Sequence, residues 1–169
     1  MKARIRGAAV IVHENQIALA FHTDQYRALE WWSPPGGGVD GKTETILQCA
    51  EREALEETSL RVVAERPIYA AEHYSPHRKQ RTLELFVLCR LAPGVTPDDL
   101  KADNEISEAR FFTAESARNE LILPEVFLAD ADKSERVARI QATTRRYLAQ
   151  GLLREHAGSV LVERTLPDG

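Results

Sequence analysis

The segment that decides the fold is residues 36–60, which read GGGVDGKTETILQCAEREALEETSL. Its three opening glycines directly follow Pro34 and Pro35. Proline lacks a backbone N–H and glycine has no side chain to pack, so neither suits the interior of a helix or a central strand. We therefore expect residues 34–38 to form a loop.

A helix is predicted to follow this loop, from Thr45 to about Thr58. Thr45 and Gln48 have the spacing of a capping box, although Thr43 is an alternative cap. An apolar stripe at helical spacing supports the assignment and consists of Leu47, Ala50 and Ala54.

The predicted helix carries a cluster of acidic side chains. Glu53, Glu56 and Glu57 stand at i, i+3 and i+4, which places them within an arc of about 100° on the helix surface. Carboxylates this close repel one another, and the neighbouring Arg52 cannot neutralise all three. A solvated acidic face is the ordinary explanation, whereas a hard divalent cation such as Mg²⁺ would offset the repulsion directly.

The spacing of the surrounding residues distinguishes these two interpretations. The pattern is Gly38, five residues, Glu44, seven residues, Arg52-Glu53-Ala54, one residue, Glu56-Glu57, one residue, Ser59-Leu60. It resembles the signature of the Nudix hydrolases over residues 38–60. Ser59 departs from the pattern because the family usually has glycine there, a residue suited to a left-handed helix end. This departure affects the helix terminus and removes no acidic residue.

The resemblance implies a fold and an activity. The fold would be an α/β/α sandwich with a mixed sheet and a central catalytic loop and helix. The activity would be hydrolysis of a nucleoside diphosphate linked to another group, using Mg²⁺ with Mn²⁺ as a substitute. A non-catalytic nucleotide-binding domain is the alternative, although such relatives usually lose acids that this helix keeps.

The resemblance also implies roles for individual residues. Glu56 and Glu57 would bind the metal directly, Glu53 would act as a ligand or base, and the carbonyl of Gly37 would join them. Arg52 and Glu44 would form an ion pair that orients these carboxylates. Glu105, which precedes the predicted strand 109–112, occupies the place of an additional acid, with a plain loop charge as the alternative.

Substrate-binding residues are less well defined by the sequence. Four residues are candidates for contacting the substrate. Tyr26 and Arg27 precede the glycine loop, and Gly38 lies within it. Arg78 belongs to a basic cluster at 73–81, a pattern that is equally typical of a solvated hairpin tip. We expect one tryptophan of the pair at 31–32 to lie in the core.

The remaining pattern predicts strands around the central helix, which is the α+β class. Residues 5–21 indicate two strands joined by a turn at 13–16, and further strands are expected at 60–63, 68–73, 82–91 and 109–112. Alternation along 82–91 predicts a strand covered on both faces. A helical segment at about 124–151 should complete a single domain over 1–169; whether this segment and the tail at 158–169 mediate a homodimer is left open.

Composition excludes several other classes of protein. The 169 residues are 43% hydrophobic and 28% charged, with a net charge of −4, so disorder, nucleic acid binding and attraction to anionic membranes are not expected. Apolar stretches are too short for a membrane span, and no export signal opens the chain. Cys49 and Cys89 form no disulfide framework, which favours the cytoplasm.

Overall fold

The computed structural model describes residues 2–24, 29–75, 79–103, 106–113, 116, 120 and 161–163. These residues form eight strands and one α-helix. The strands are β1 (Lys2–His13), β2 (Gln16–Asp24), β3 (Leu29–Ser33), β4 (Gly36–Gly38), β5 (Val62–Ser75), β6 (Gln80–Leu91), β7 (Ala109–Phe112) and β8 (Leu161–Glu163). The helix is α1 (Ile46–Thr58), and a 3₁₀ turn covers Pro97–Asp99.

The strands form a mixed sheet in the order β3-β2-β1-β6-β5-β8, with β4 added to β1 and β7 added to β2. The pairs β1–β6 and β5–β8 are parallel, and the other pairs are antiparallel. Strand β1 is central because it contacts three neighbours. The expected mixed sheet is confirmed.

Two apolar clusters pack on opposite faces of β1, because successive side chains of a strand point in opposite directions. Ala9 and Ile11 join Ala50 and Ala54 of α1 in one cluster. On the other face, Ala8 and Val10 pack in a cluster that includes Trp32. Helix α1 therefore covers one face of the sheet. Trp32 is buried in the core, as expected for one member of the tryptophan pair.

Helix α1 begins and ends close to the predicted residues. Thr45 is the N-cap and forms a capping box with Gln48, whose backbone N–H donates to the Thr45 hydroxyl at 3.2 Å. At the other end, Ser59 adopts the left-handed conformation with φ 59° and ψ 6°, and its N–H donates to the carbonyl of Leu55. The serine thus occupies a conformation that favours glycine.

The prediction of a loop at residues 34–38 was wrong for its second half. Gly36–Gly38 form strand β4, antiparallel to β1, with Gly37 opposite Gly7. Pro35 does not interrupt this pairing because only its carbonyl is used, accepting the N–H of Ala9 at 2.7 Å. A missing N–H has no consequence where the ladder requires only an acceptor.

Other strands also differ from the expectations. The segment expected at 68–73 and the second half of the one expected at 60–63 belong to one continuous strand, β5, which begins at Val62. This strand has irregularities between Ala64 and Arg66 and between Pro67 and Tyr69. Strand β6 is not covered on both faces along its whole length, because Leu83 is 41% exposed near its start. The predicted helical segment at 124–151 lies outside the described residues. In the part of the chain that is described, no helix has the length and apolar character needed to cross a membrane.

We expect Ser59→Gly to raise the free energy of unfolding by about 0.5–1 kcal/mol. The substitution removes the steric cost of a side chain at positive φ, partly offset by the greater freedom of glycine in the unfolded chain. Ser33→Gly in extended β3 is the matched control and should lower stability by a similar amount. Urea unfolding of both variants measures the difference; a destabilised Ser59→Gly protein would contradict the expectation.

Candidate active site

The candidate site is built around the outer edge of β4, the edge that does not pair with β1. The Gly36 N–H donates to Oε2 of Glu57 at 3.3 Å, which ties this edge to α1. The Gly36 carbonyl accepts from Arg6 at 2.7 Å, and the Gly38 carbonyl accepts from Arg52 at 3.0 Å. Charged side chains therefore satisfy the backbone groups of a strand that has only one partner strand.

Glu53 lies directly against the backbone of β4. A Cβ added to Gly37 would stand 2.1 Å from Oε1 of Glu53, a separation that real atoms do not adopt. Glu53 itself is 9% exposed. A side chain at position 37 would need the volume that the carboxylate fills, so that Glu53 would have to move.

The guanidinium of Arg52 connects the acidic residues. Nε and one terminal nitrogen of Arg52 donate to the two carboxylate oxygens of Glu44, at 2.8 and 3.1 Å. Another terminal nitrogen donates to Glu53 at 2.6 Å and to Glu56 at 3.0 Å. The predicted ion pair between Arg52 and Glu44 is present, and the same guanidinium also reaches two carboxylates of the proposed metal site.

These contacts alter the ionisation of both partners. Hydrogen bonds from Arg52 lower the pKa of Glu44 below its usual value, and the backbone N–H of Asp40 adds to the effect. Conversely, the hydrogen bond to Glu44 raises the pKa of Arg52, so the guanidinium stays charged. The ion pair is consequently fully formed at neutral pH.

The carboxylates provide the right type of ligand for a hard divalent cation. Glu53, Glu56 and Glu57 supply only oxygens, the ligand type that such a cation prefers. Within the described ranges, no group of three or more His, Cys, Asp or Glu side chains is arranged so that it could hold a metal ion. The residues fit the cation in chemical type, and in this arrangement Arg52 makes the charge contacts to Glu53 and Glu56.

The predicted site residues separate into two groups. Seven are brought together around β4 and α1, namely Gly37, Gly38, Glu44, Arg52, Glu53, Glu56 and Glu57. The other four, Tyr26, Arg27, Arg78 and Glu105, lie outside the described residues.

Sequence reasoning missed Arg6, which contacts β4, and its partner Glu84. Arg6 binds the Gly36 carbonyl and pairs with Glu84 at 3.2 Å. The only sequence signal for Glu84 was a single charge within the apolar run at residues 83–89. Cys49 is buried with Sγ 3.6 Å from the Gly37 carbonyl, and burial raises the pKa of its thiol. A buried thiol with a raised pKa stays protonated at neutral pH and does not suit the role of a nucleophile.

The mixed sheet, the helix covering it and the glutamates beside a glycine strand define the class of a Nudix-type fold. The NUDIX domain profile matches residues 3–131, and the chain therefore belongs to the Nudix family. The resemblance seen in residues 38–60 is confirmed, as is the assignment to the Nudix-type enzymes.

Solved structures support the same fold. A Nudix hydrolase from Nitrosomonas europaea is 21% identical, with a TM-score of 0.67 over 98% of this chain and 81% of that chain. An ADP-ribose pyrophosphatase from Streptococcus suis is 22% identical, with a TM-score of 0.53 over 95% and 98% of the two chains. A MutT protein from Methanosarcina mazei is 19% identical, with a TM-score of 0.57 over 85% and 96%. No curated protein matches the sequence.

Gly37→Ala should lower the free energy of unfolding by about 1–3 kcal/mol, because the added methyl forces Glu53 away from β4 and from Arg52. Gly38→Ala is the matched control. A Cβ there would meet only the mobile end of Arg4, at 3.2 Å, so the arginine can move aside. Chemical denaturation measures the free energy of unfolding of both variants. Equal losses of stability would show that the contact with Glu53 is not what destabilises Gly37→Ala.

The Arg52–Glu44 pair predicts a specific pH dependence. The folded-state pKa of Glu44 lies below its usual 4.5, so its stabilising contribution is complete above that pH and is lost as the pH falls through the lowered pKa. The difference in unfolding free energy between wild type and Glu44→Gln should therefore be largest near neutral pH and shrink in acid.

Unfolding titrations at a series of pH values measure this difference. Glu65→Gln serves as the control because its pair with Arg90 is exposed and should contribute little. A wild-type advantage over Glu44→Gln that grows on acidification would refute the assignment.

Proposed function

We propose that this protein is a divalent-cation-dependent pyrophosphohydrolase that cleaves the diphosphate linkage of a nucleotide-like substrate. The observation that carries the proposal is the grouping of Glu53, Glu56 and Glu57 beside β4, with Arg52 joining two of them. This grouping is the one expected if the acids of residues 38–60 serve the chemistry of the Nudix family.

The acidic residues are proposed to hold Mg²⁺, with Mn²⁺ as a substitute. Glu56 and Glu57 would be ligands, Glu53 a ligand or general base, and the Gly37 carbonyl a further ligand. The bound cation supplies charge neutralisation at the phosphate oxygens and acidifies a water molecule. Because Arg52 contacts three glutamates and Glu57 lies beside the same strand, the site keeps a negative surplus that suits a cation.

The remaining residues position these groups. Arg52 holds Glu53 and Glu56 in place while Glu44 holds Arg52. We propose Glu105 as an additional acid, and Tyr26, Arg27, Gly38 and Arg78 as contacts for the substrate.

The proposed substrate is a small nucleotide-like diphosphate. Nucleoside diphosphate sugars, dinucleoside polyphosphates, nucleoside triphosphates and coenzyme A derivatives all contain the required bond. Among the solved relatives, the Streptococcus suis protein is named an ADP-ribose pyrophosphatase. ADP-ribose is therefore the first compound to test in a panel of such diphosphates. The free, buried thiols of Cys49 and Cys89 fit a reducing compartment, and we propose the cytoplasm.

A hydrolysis screen with Mg²⁺ tests this function. We expect release of two phosphorylated products from at least one compound, detected by ³¹P NMR, with ¹⁸O from labelled water on one of them. Glu56→Gln and Glu57→Gln should each lower kcat/KM by about 100-fold or more, because each removes a charge that stabilises the transition state.

Glu65→Gln is the matched control, since it neutralises a glutamate of the exposed pair with Arg90 and should retain full activity. If wild-type protein binds nucleotides and cleaves none of the panel, the non-catalytic binding domain is the better description. Full activity in Glu57→Gln would refute the assigned role of that residue.

A further inference from the structure

A second arginine holds β4 from the face of the sheet opposite to α1. Arg6 lies on β1 directly across from Glu84 of β6. Its Nε donates to Oε1 of Glu84 at 3.2 Å, and a terminal nitrogen donates to the Gly36 carbonyl at 2.7 Å. Alternation along β1 places Arg6 on the same face as Ala8, away from the helix.

The pair is buried enough to matter for the geometry of β4. The Glu84 side chain is 5% exposed and the Arg6 side chain 15% exposed. Charges removed from water to this extent need well-formed hydrogen bonds to their partners. The guanidinium is therefore restricted in position, and so is the Gly36 carbonyl that it binds.

The arrangement repeats that of Arg52 and Glu44 on the other face. In both pairs, Nε of the arginine donates to the glutamate and a terminal nitrogen donates to a carbonyl of β4. Arg52 binds Gly38 and Arg6 binds Gly36, so the short strand is held near both of its ends. A lysine could not make both contacts in this way, because it lacks the planar fork of donors.

The contact with Gly36 leads to the acidic cluster. The N–H of this glycine donates to Glu57, whereas its carbonyl accepts from Arg6. Displacement of Gly36 would therefore displace the hydrogen-bond partner of a carboxylate on α1. Neither Arg6 nor Glu84 needs to touch substrate to have this effect.

We propose that Arg6, oriented by Glu84, is a positioning residue that sets the location of Gly36 and through it the carboxylate of Glu57. The kinetic consequence rests on the proposed function, whereas the structural consequence does not. Arg6→Lys keeps the charge and removes the two-point contact. Arg90→Lys is the matched control, because Arg90 lies on the same sheet in an exposed pair with Glu65.

The first measurement is independent of catalysis. Amide hydrogen exchange followed by NMR should show the Gly36 N–H exchanging about tenfold faster in Arg6→Lys than in wild type, since the glycine is less firmly held. Mn²⁺ binding, followed by electron paramagnetic resonance, should weaken by about 10-fold or more, the size expected for loss of a group that supports a ligand. Arg90→Lys should match wild type in both.

The second measurement separates the effect of Arg6→Lys on kcat from its effect on KM. Small misplacements of reacting groups can lower turnover by up to about 100-fold. We therefore expect kcat of Arg6→Lys to fall by about 10- to 100-fold, with KM for the diphosphate substrate within about threefold of wild type. A rise in KM alone would overturn the proposal, because it would place Arg6 in contact with substrate.

The structural and functional proposals fail in distinguishable ways. If Gly36 exchange and Mn²⁺ affinity are unchanged in Arg6→Lys, Arg6 does not position this site, whatever the activity. If wild-type protein hydrolyses no compound, the proposed function fails, and Gly36 exchange still decides the role of Arg6. Should Arg6→Lys not fold, Glu84→Gln decides the question by the same measurements, with changes expected in the same direction.

Discussion

The interaction on which the site depends is the contact of one guanidinium with three carboxylates and a backbone carbonyl. Arg52 reaches Glu44, Glu53, Glu56 and the carbonyl of Gly38. Without this cation, several like charges would crowd one turn of α1 and repel one another. The planar guanidinium can serve all of them because its five N–H donors point in fixed, divergent directions.

The second constraint is the space available between α1 and β4. Glu53 fills the volume beside Gly37 that any larger residue would occupy. On the neighbouring strand β1, Gly7 lies opposite Gly37, and a Cβ there would approach the Cys49 side chain of the same helix at 3.2 Å. Helix and strand can thus approach closely only because the backbone there carries no side chains. The same closeness brings Glu57 within hydrogen-bonding distance of the Gly36 N–H.

Local features of this protein could be predicted from its sequence. The capping box, the apolar stripe and the acidic arc all depend on residues less than about two helical turns apart, where the periodicity of the helix fixes their relation. Family resemblance then identified Glu44, which lies eight residues from Arg52 and pairs with it. The left-handed conformation at Ser59 likewise follows from the position of the helix end.

Features that depend on pairing between distant segments could not be predicted in the same way. Strand β4 forms because its backbone pairs with β1. Nothing in the three-glycine sequence itself specifies β1 as the partner. Arg6 and Glu84 are 78 positions apart and meet only because β1 and β6 are parallel neighbours. Neither residue has a local pattern that would reveal this contact.

The occupied outer edge of β4 has a consequence for association between molecules. A strand with unpaired backbone groups on one side is a template for another chain, and a glycine-rich strand offers no side chains to obstruct it. In this protein Glu57, Arg6 and Arg52 already hold the N–H and carbonyl groups that such a chain would need. The side chains that shape this strand thereby also protect it from aggregation.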